Sequence, residues 1–176
     1  MAFIGTEVIK EYKDVIKGEV WVFPDNVDTD VISPGKYLDN LEETLNHTCE
    51  GIIKDFPKKV KDGDLIVAGK NFGCGSSRET AAMILQAKGI VAIVAESFAR
   101  IFFRSAFARA LPILEIENVS SKFENGDIIK INIPEAKVEN LSKKISIKGE
   151  KIHPSLLNLL KEGGLENKLI KEVKNK

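Results

Sequence analysis

What this sequence lacks first of all is an excess of charge of either sign. Its 26 Lys and Arg are matched by 26 Asp and Glu, so the formal net charge is zero at neutral pH. A neutral chain has no general attraction for phosphate backbones or anionic bilayers, which argues against nucleic-acid binding and membrane adsorption as functions. Cysteine is scarce as well: Cys49 and Cys74 are the only two, and no CxxC pair exists. Two thiols cannot ligate an iron–sulfur cluster or a Cys-rich zinc site from one chain, so any such metal must come from elsewhere. No apolar run approaches the roughly 20 residues of a membrane-spanning helix. The first residues, MAFIGTEVIKEYKD, show neither the charged-then-apolar order nor the small-residue cleavage pattern of a signal peptide. The expectation is a cytoplasmic chain with reduced thiols. Repeats, low-complexity tracts and Pro/Gly/Ser-rich linkers are missing too, and 176 residues at 43% apolar composition read as one domain with a substantial core.

What is present is an alternation of short apolar runs and helical segments. Gly18–Phe23 is a β-rich run stopped by Pro24, followed by the acidic loop Asp25–Asp30 and the turn Ser33-Pro34-Gly35. Asn40 with Glu43 three residues later suits a helix start near Leu41. Leu65–Ala68 is too short and too apolar for anything but a buried strand, and Gly69–Gly75 then forms a glycine loop before an Ala/Met/Ile/Leu helix that ends at Gly89. A second buried strand at Ile90–Ala95, a helix over Ser97–Leu111 stopped by Pro112, and a third strand at Ile113–Ile116 complete a β-α-β-α-β unit. Such a unit calls for a parallel sheet with right-handed crossovers. Further on, Ile129–Ile133 and Ile145–Ile147 look like half-buried strands flanking a hairpin, and Leu156–Val173 is helical with a break at Gly163-Gly164. Phe98, Phe102, Phe103 and Phe107 recur at helical spacing and read as core.

The glycine loop follows a strand and opens a helix, as nucleotide-binding loops do, yet it matches neither nucleotide fingerprint. Gly73-Cys74-Gly75 begins a GxG, but the third glycine position falls on Arg78, and no GK[ST] is present. Small residues that let backbone N–H groups approach a ligand, a helix N-terminus, and the Arg78 fork together suit a small carboxylic acid. A purely structural account stands beside this one, since Ser76 with Glu79 forms a capping box. Asp25–Asp30 resembles a calcium ligand run but lacks the turn glycine and distal glutamate of an EF-hand, so its carboxylates are either turn formers or groups that orient a catalytic residue. His47 and His153 lie far in sequence from the serines, and no GxSxG elbow supports a hydrolase. Cys74 reads as a small packing residue.

Three stretches taken together are specific: DNVDTDVI at Asp25–Ile32, GKNFGCGSSRE at Gly69–Glu79, and AESFARIF at Ala95–Phe102. In this combination the chain resembles the swivel domain of the aconitase superfamily, and in length and order the separate small subunits of the 3-isopropylmalate dehydratase group. The resemblance covers residues 17–176 as a single domain and leaves 1–16 as an N-terminal extension. It implies an α/β fold: a three-layer, swivelling β/β/α domain with a mainly parallel, barrel-like sheet. It also implies a hydro-lyase that dehydrates a dicarboxylic 2-hydroxy acid and rehydrates the alkene at the neighbouring carbon, using a [4Fe-4S] cluster on a large partner subunit. By the same resemblance Ser76 is the base that removes the carbon-bound proton, Ser77, Gly75 and Arg78 bind substrate carboxylate, and Asp30 is the active-site carboxylate. Tyr37, Leu38, Asp39 and Asn40 form the loop that reads the variable substituent. Two departures stand out: Thr80 occupies a position where many relatives carry His or Gln, and the Tyr37–Asn40 loop matches no familiar version.

Asp39 would repel an added carboxylate, which favours an uncharged branched substituent such as that of isopropylmalate, with dimethylmalate or another alkylmalate next and homocitrate or homoaconitate after them. Two other function classes compete. A stand-alone carboxylate-binding module would use the same glycine loop unaided, and an RNA-binding regulator would need positive charge that the chain does not have.

Overall fold

A computed structural model describes residues 11–76 and 80–174. In chain order its elements are β1 (Val15–Phe23), α1 (Thr29–Ile32), α2 (Leu41–His47), α3 (Phe56–Lys59), β2 (Leu65–Ala68), α4 (Thr80–Ala87), β3 (Ala92–Ala95), α5 (Arg100–Ala108), β4 (Ile113–Glu115), β5 (Ile128–Asn132), β6 (Lys137–Asn140), β7 (Ile145–Lys148), α6 (Pro154–Lys161) and α7 (Leu165–Lys174). The strands make one mixed sheet in the order β4-β3-β2-β1-β5-β6-β7.

Strand β1 divides this sheet into two kinds. Its C-terminal half, Val20–Phe23, pairs in parallel with β2, which continues in parallel to β3 and β4. Its N-terminal half, Val15–Glu19, pairs antiparallel with β5, and the antiparallel meander continues through β6 to β7. The composition of each half follows from its coverage. Strands β2 and β3 read LIVA and AIVA and are buried at every position, as strands covered on both faces must be. Strand β5 alternates, with Ile129 and Ile131 inward and Lys130 outward. The sheet curls until its ends approach each other: a side chain at Gly149, just after β7, would collide with the Glu115 carbonyl of β4 and with Ile116. The result is the half-barrel, parallel at its core, that the α/β expectation described.

Three expectations need adjusting. The helix expected over Ser97–Leu111 begins only at Arg100, because Ser97–Ala99 serves as an extended partner for the glycine loop: Phe72 N–H donates to the Ser97 carbonyl (3.0 Å) and Ala99 N–H to the Phe72 carbonyl (2.9 Å). The two strands expected around a hairpin enclose a third, β6, whose inward positions are Val138 and Asn140. A buried Asn breaks the apolar alternation; here its side-chain amide donates to Asp127 at 2.7 Å, which satisfies it. Strand β1 also starts at Val15, so Val15 and Ile16 belong to the sheet rather than to an extension ending at residue 16. No described helix is long and apolar enough to cross a membrane.

Candidate active site

The loops that follow β1, β2 and β3 leave the same edge of the parallel half-sheet, the edge where ligands of open α/β folds bind. They are laced into one body by hydrogen bonds. The Asp25 carboxylate accepts from Lys70 N–H (2.7 Å), Asn26 N–H donates to the Lys70 carbonyl (2.8 Å), and the Asn71 amide donates to the Asn26 side chain (2.9 Å). The Val27 carbonyl accepts from both Gly73 N–H (2.8 Å) and Cys74 N–H (3.1 Å). Thr29 then makes two bonds: its N–H donates to the Cys74 carbonyl and its hydroxyl to the Ser76 carbonyl, each at 2.8 Å. From the third loop, the Ser97 hydroxyl accepts from Asn71 N–H (2.8 Å). Main-chain groups that would otherwise be orphaned at the strand ends are thus paired across loops, and the rim is held in register by main-chain bonds together with the short side chains of Asp25, Asn26, Thr29, Asn71 and Ser97.

Two of the expected active-site residues, Asp30 and Ser76, lie on loops joined through Thr29. Asp30 sits in the first turn of α1 and is exposed; Ser76 is exposed at the end of the glycine loop, tied to α1 through Thr29. Asp28 is the N-cap of α1, its carboxylate accepting from Asp30 N–H at 2.7 Å, so one acidic residue fixes the backbone of another. Gly75 has φ +90°, and any Cβ there would overlap the Asp28 carboxylate. Ser77 and Arg78, expected to bind carboxylate, and Glu79 of the capping box lie outside the described residues.

The Tyr37–Asn40 segment follows α1 directly. Tyr37 and Leu38 are half-buried, Asp39 and Asn40 exposed, and the Asn40 side chain caps α2 by accepting from Glu43 N–H at 3.2 Å. Within the acidic loop two carboxylates have structural partners, Asp25 in Lys70 N–H and Asp28 in Asp30 N–H, and Asp30 itself is exposed. Residue composition did not single out Thr29, Asp25 or Ser97 as determinants of the site, because their partners lie in other loops.

Burial disfavours the thiolate form of both cysteines. Cys49 is fully buried, and burial pushes its thiol far up. Cys74 is half-buried; desolvation and the Asp28 charge both push its thiol up. Alkylation of Cys74 is accordingly expected to be slow at neutral pH and to accelerate only above the ordinary thiol value of about 8.5, which iodoacetamide kinetics across pH would measure. Among the described residues no three His, Cys, Asp or Glu side chains are grouped to hold a metal ion. Neither histidine approaches the serine loop through its described bonds: His153 caps α6 through Ser155 N–H (3.3 Å), and His47 pairs with Glu50.

The rim geometry gives a direct test of the lacing. Replacing Thr29 with Val removes the hydroxyl that holds the Ser76 carbonyl, and is expected to cost about 1 kcal/mol, lowering Tm by roughly 2–4 °C for a chain of this size.

Comparison with known proteins places this rim in a family. Residues 25–119, which include all three loops, match the Aconitase C-terminal domain. Over 163 residues, 92% of this chain and 97% of the other, the sequence is 45% identical to the isopropylmalate/citramalate isomerase small subunit of Methanocaldococcus jannaschii. It is 46% identical over 160 residues to a 3-isopropylmalate dehydratase small subunit of Thermotoga maritima, covering 89% of this chain and 96% of that one. The chain belongs to the 3-isopropylmalate dehydratase small-subunit family. The crystal structure of a 3-isopropylmalate dehydratase from Methanocaldococcus jannaschii superimposes with a TM-score of 0.82 at 42% identity, covering 91% of this chain and 99% of that one. Within the family, overall likeness does not separate substrates: the methanogen homoaconitase small subunit of Methanothermobacter thermautotrophicus is 43% identical over 161 residues, 90% of this chain and 93% of its own.

Proposed function

We propose that this chain is the small subunit of a heteromeric hydro-lyase that converts 2-isopropylmalate to 3-isopropylmalate, and that it is active only when joined to a large subunit. The observation that carries the reading is the double bond pattern of Thr29, which brings the Asp30 and Ser76 loops onto one rim in a chain of this family. In this reading Ser76 takes the carbon-bound proton next to the departing hydroxyl, and returns a proton when water adds at the neighbouring carbon. A serine is a weak base, so its oxyanion needs local stabilisation; adjacent main-chain N–H groups and the Arg78 guanidinium supply it, while Ser77, Gly75 and Arg78 hold a substrate carboxylate. Asp30 serves in this reading as the active-site carboxylate. In this reading the [4Fe-4S] cluster is carried by the large subunit and would supply Lewis-acid chemistry for loss of the hydroxyl. The activity is assigned to the cytoplasm.

The choice of isopropylmalate rests on Asp39, the exposed acid at the tip of the Tyr37–Asn40 segment. A negative charge there disfavours a third carboxylate and tolerates an aliphatic branch. Steady-state kinetics of the reconstituted enzyme are expected to rank isopropylmalate and other alkylmalates above homocitrate, and Asp39→Arg should raise the relative kcat/KM of homocitrate by about tenfold. Faster turnover of homocitrate by the unmodified enzyme would reject the charge argument. Tight, unaided binding of the acid by the isolated chain would favour a binding module over a half-site.

A further inference from the structure

Within the segment assigned to substrate recognition, the two outer residues are held by α2. The Asn40 side chain caps that helix, and Asn40 N–H donates to the Tyr37 carbonyl at 2.9 Å. The Thr44 hydroxyl donates to the same carbonyl at 2.7 Å. The Tyr37 ring lies flat against the imidazole of His47, with centroids 4.2 Å apart and planes 13° from parallel. His47 is in turn clasped by two acids: Nδ1 is 2.6 Å from a Glu50 carboxylate oxygen and Nε2 is 3.7 Å from Glu43. A carboxylate only accepts, so Nδ1 carries the hydrogen and the ring orientation is fixed. The Glu50 carboxyl is held below its usual range by that bond. Two residues on, Cys49 N–H donates to the Val31 carbonyl (2.9 Å), tying the end of α2 to α1, the helix of Asp30. Between the anchored Tyr37 and Asn40, the residues left to face a substrate are half-buried Leu38 and exposed Asp39.

We propose that His47 is a positioning residue for substrate recognition: stacked on Tyr37 and clasped by Glu50 and Glu43, it fixes the segment so that Leu38 and Asp39 meet the variable substituent of the substrate. This rests on the reading of residues 37–40 given above. His47 contacts no reacting atom. Its effect is to make the recognition tip a rigid part of the body that carries Asp30, so that the branch of the substrate is judged against a fixed surface.

The test uses the full chain reconstituted with its large subunit and two substrates, malates bearing an isopropyl or a methyl branch. His47→Ala is expected to raise KM for the isopropyl substrate about tenfold, to leave kcat within about twofold, and to compress the preference between the two. His47→Phe, which keeps the stack, should recover most of the loss; His47→Gln, which keeps a donor for Glu50 without the ring, should recover less. In NMR spectra of the full-length chain, the ring-current shifts of the Tyr37 ring protons should persist in His47→Phe and vanish in His47→Ala.

Leu38→Ala and Asp39→Ala separate the two ways of being wrong. If they alter the preference while all three His47 variants keep it, the positioning role is overturned and the recognition segment stands. If neither they nor the His47 variants move it, the recognition reading fails and takes the inference with it. A fall in kcat with KM unchanged for both substrates would also overturn the positioning role, and the Phe and Gln variants keep the test decisive if the Ala variant folds poorly.

Discussion

Ser76→Ala is expected to lower kcat of the reconstituted complex by about 10²–10⁴-fold, the range that a positioned general base contributes, with KM almost unchanged. The loop should stay tied to α1. What ties residue 76 to α1 is its main-chain carbonyl, which accepts from the Thr29 hydroxyl at 2.8 Å, and alanine retains that carbonyl. The bonds just upstream, from Gly73 and Cys74 N–H to the Val27 carbonyl, also involve main chain alone. The variant therefore keeps the main-chain bonds that lace this loop to its neighbours. Substrate carboxylate binding, assigned to neighbouring groups, should survive, so the loss falls on kcat, the pattern of an interaction made only in the transition state. Loss of solvent-proton exchange into the substrate carbon would accompany it.

Gly75→Ala should do the opposite, damaging the rim while leaving Ser76 in place. At φ +90° a side chain is strained wherever it points, and here it would also run into the carboxylate of Asp28. Asp28 cannot yield freely, because it caps α1 through Asp30 N–H at 2.7 Å. The expected cost is roughly 2–4 kcal/mol, combining backbone strain with displacement of a cap. For a chain of 176 residues that lowers Tm by roughly 5–15 °C. Activity should fall as well, since moving Asp28 moves Asp30. Gly63→Ala is the control: Gly63 has φ +97° but nothing within 4 Å of its would-be side chain. It should therefore cost only the backbone term of about 1–2 kcal/mol, with no effect on turnover once folded. Thermal unfolding of the two variants side by side separates collision with Asp28 from the strain they share.

These predictions draw unequally on sequence and structure. The short apolar runs Leu65–Ala68 and Ile90–Ala95 point to buried parallel strands because they lie between turn signals and are too short for a helix; the second strand forms over Ala92–Ala95. The Asn40 cap and the break at Gly163-Gly164 were equally local and equally legible. Strand β6 was not, because its second inward position is an Asn whose partner, Asp127, sits 13 residues earlier. The same limit applies at the rim. Asp25 reads as an ordinary turn former until Lys70, 45 residues on, is seen to donate to it. Thr29 carries no signal of its bond to residue 76, and nothing in the spacing of Tyr37 and His47 shows that their rings stack. Periodicity reports on a residue's own element; the lacing of loops across strand ends is a tertiary fact. The motif-level resemblance singled out Asp30 and Ser76 as candidates, while the bonds that hold their loops come from coordinates.

The central claim is that this chain provides an anchored hydroxyl and carboxylate for chemistry completed by iron on another polypeptide. Turnover of 2-isopropylmalate should be measured for the purified chain alone, for the cluster-loaded large subunit alone, and for the two mixed in increasing ratio. The account predicts no turnover by either alone and activity that rises to a plateau at equimolar mixing. Sustained turnover by this chain without its partner would contradict it.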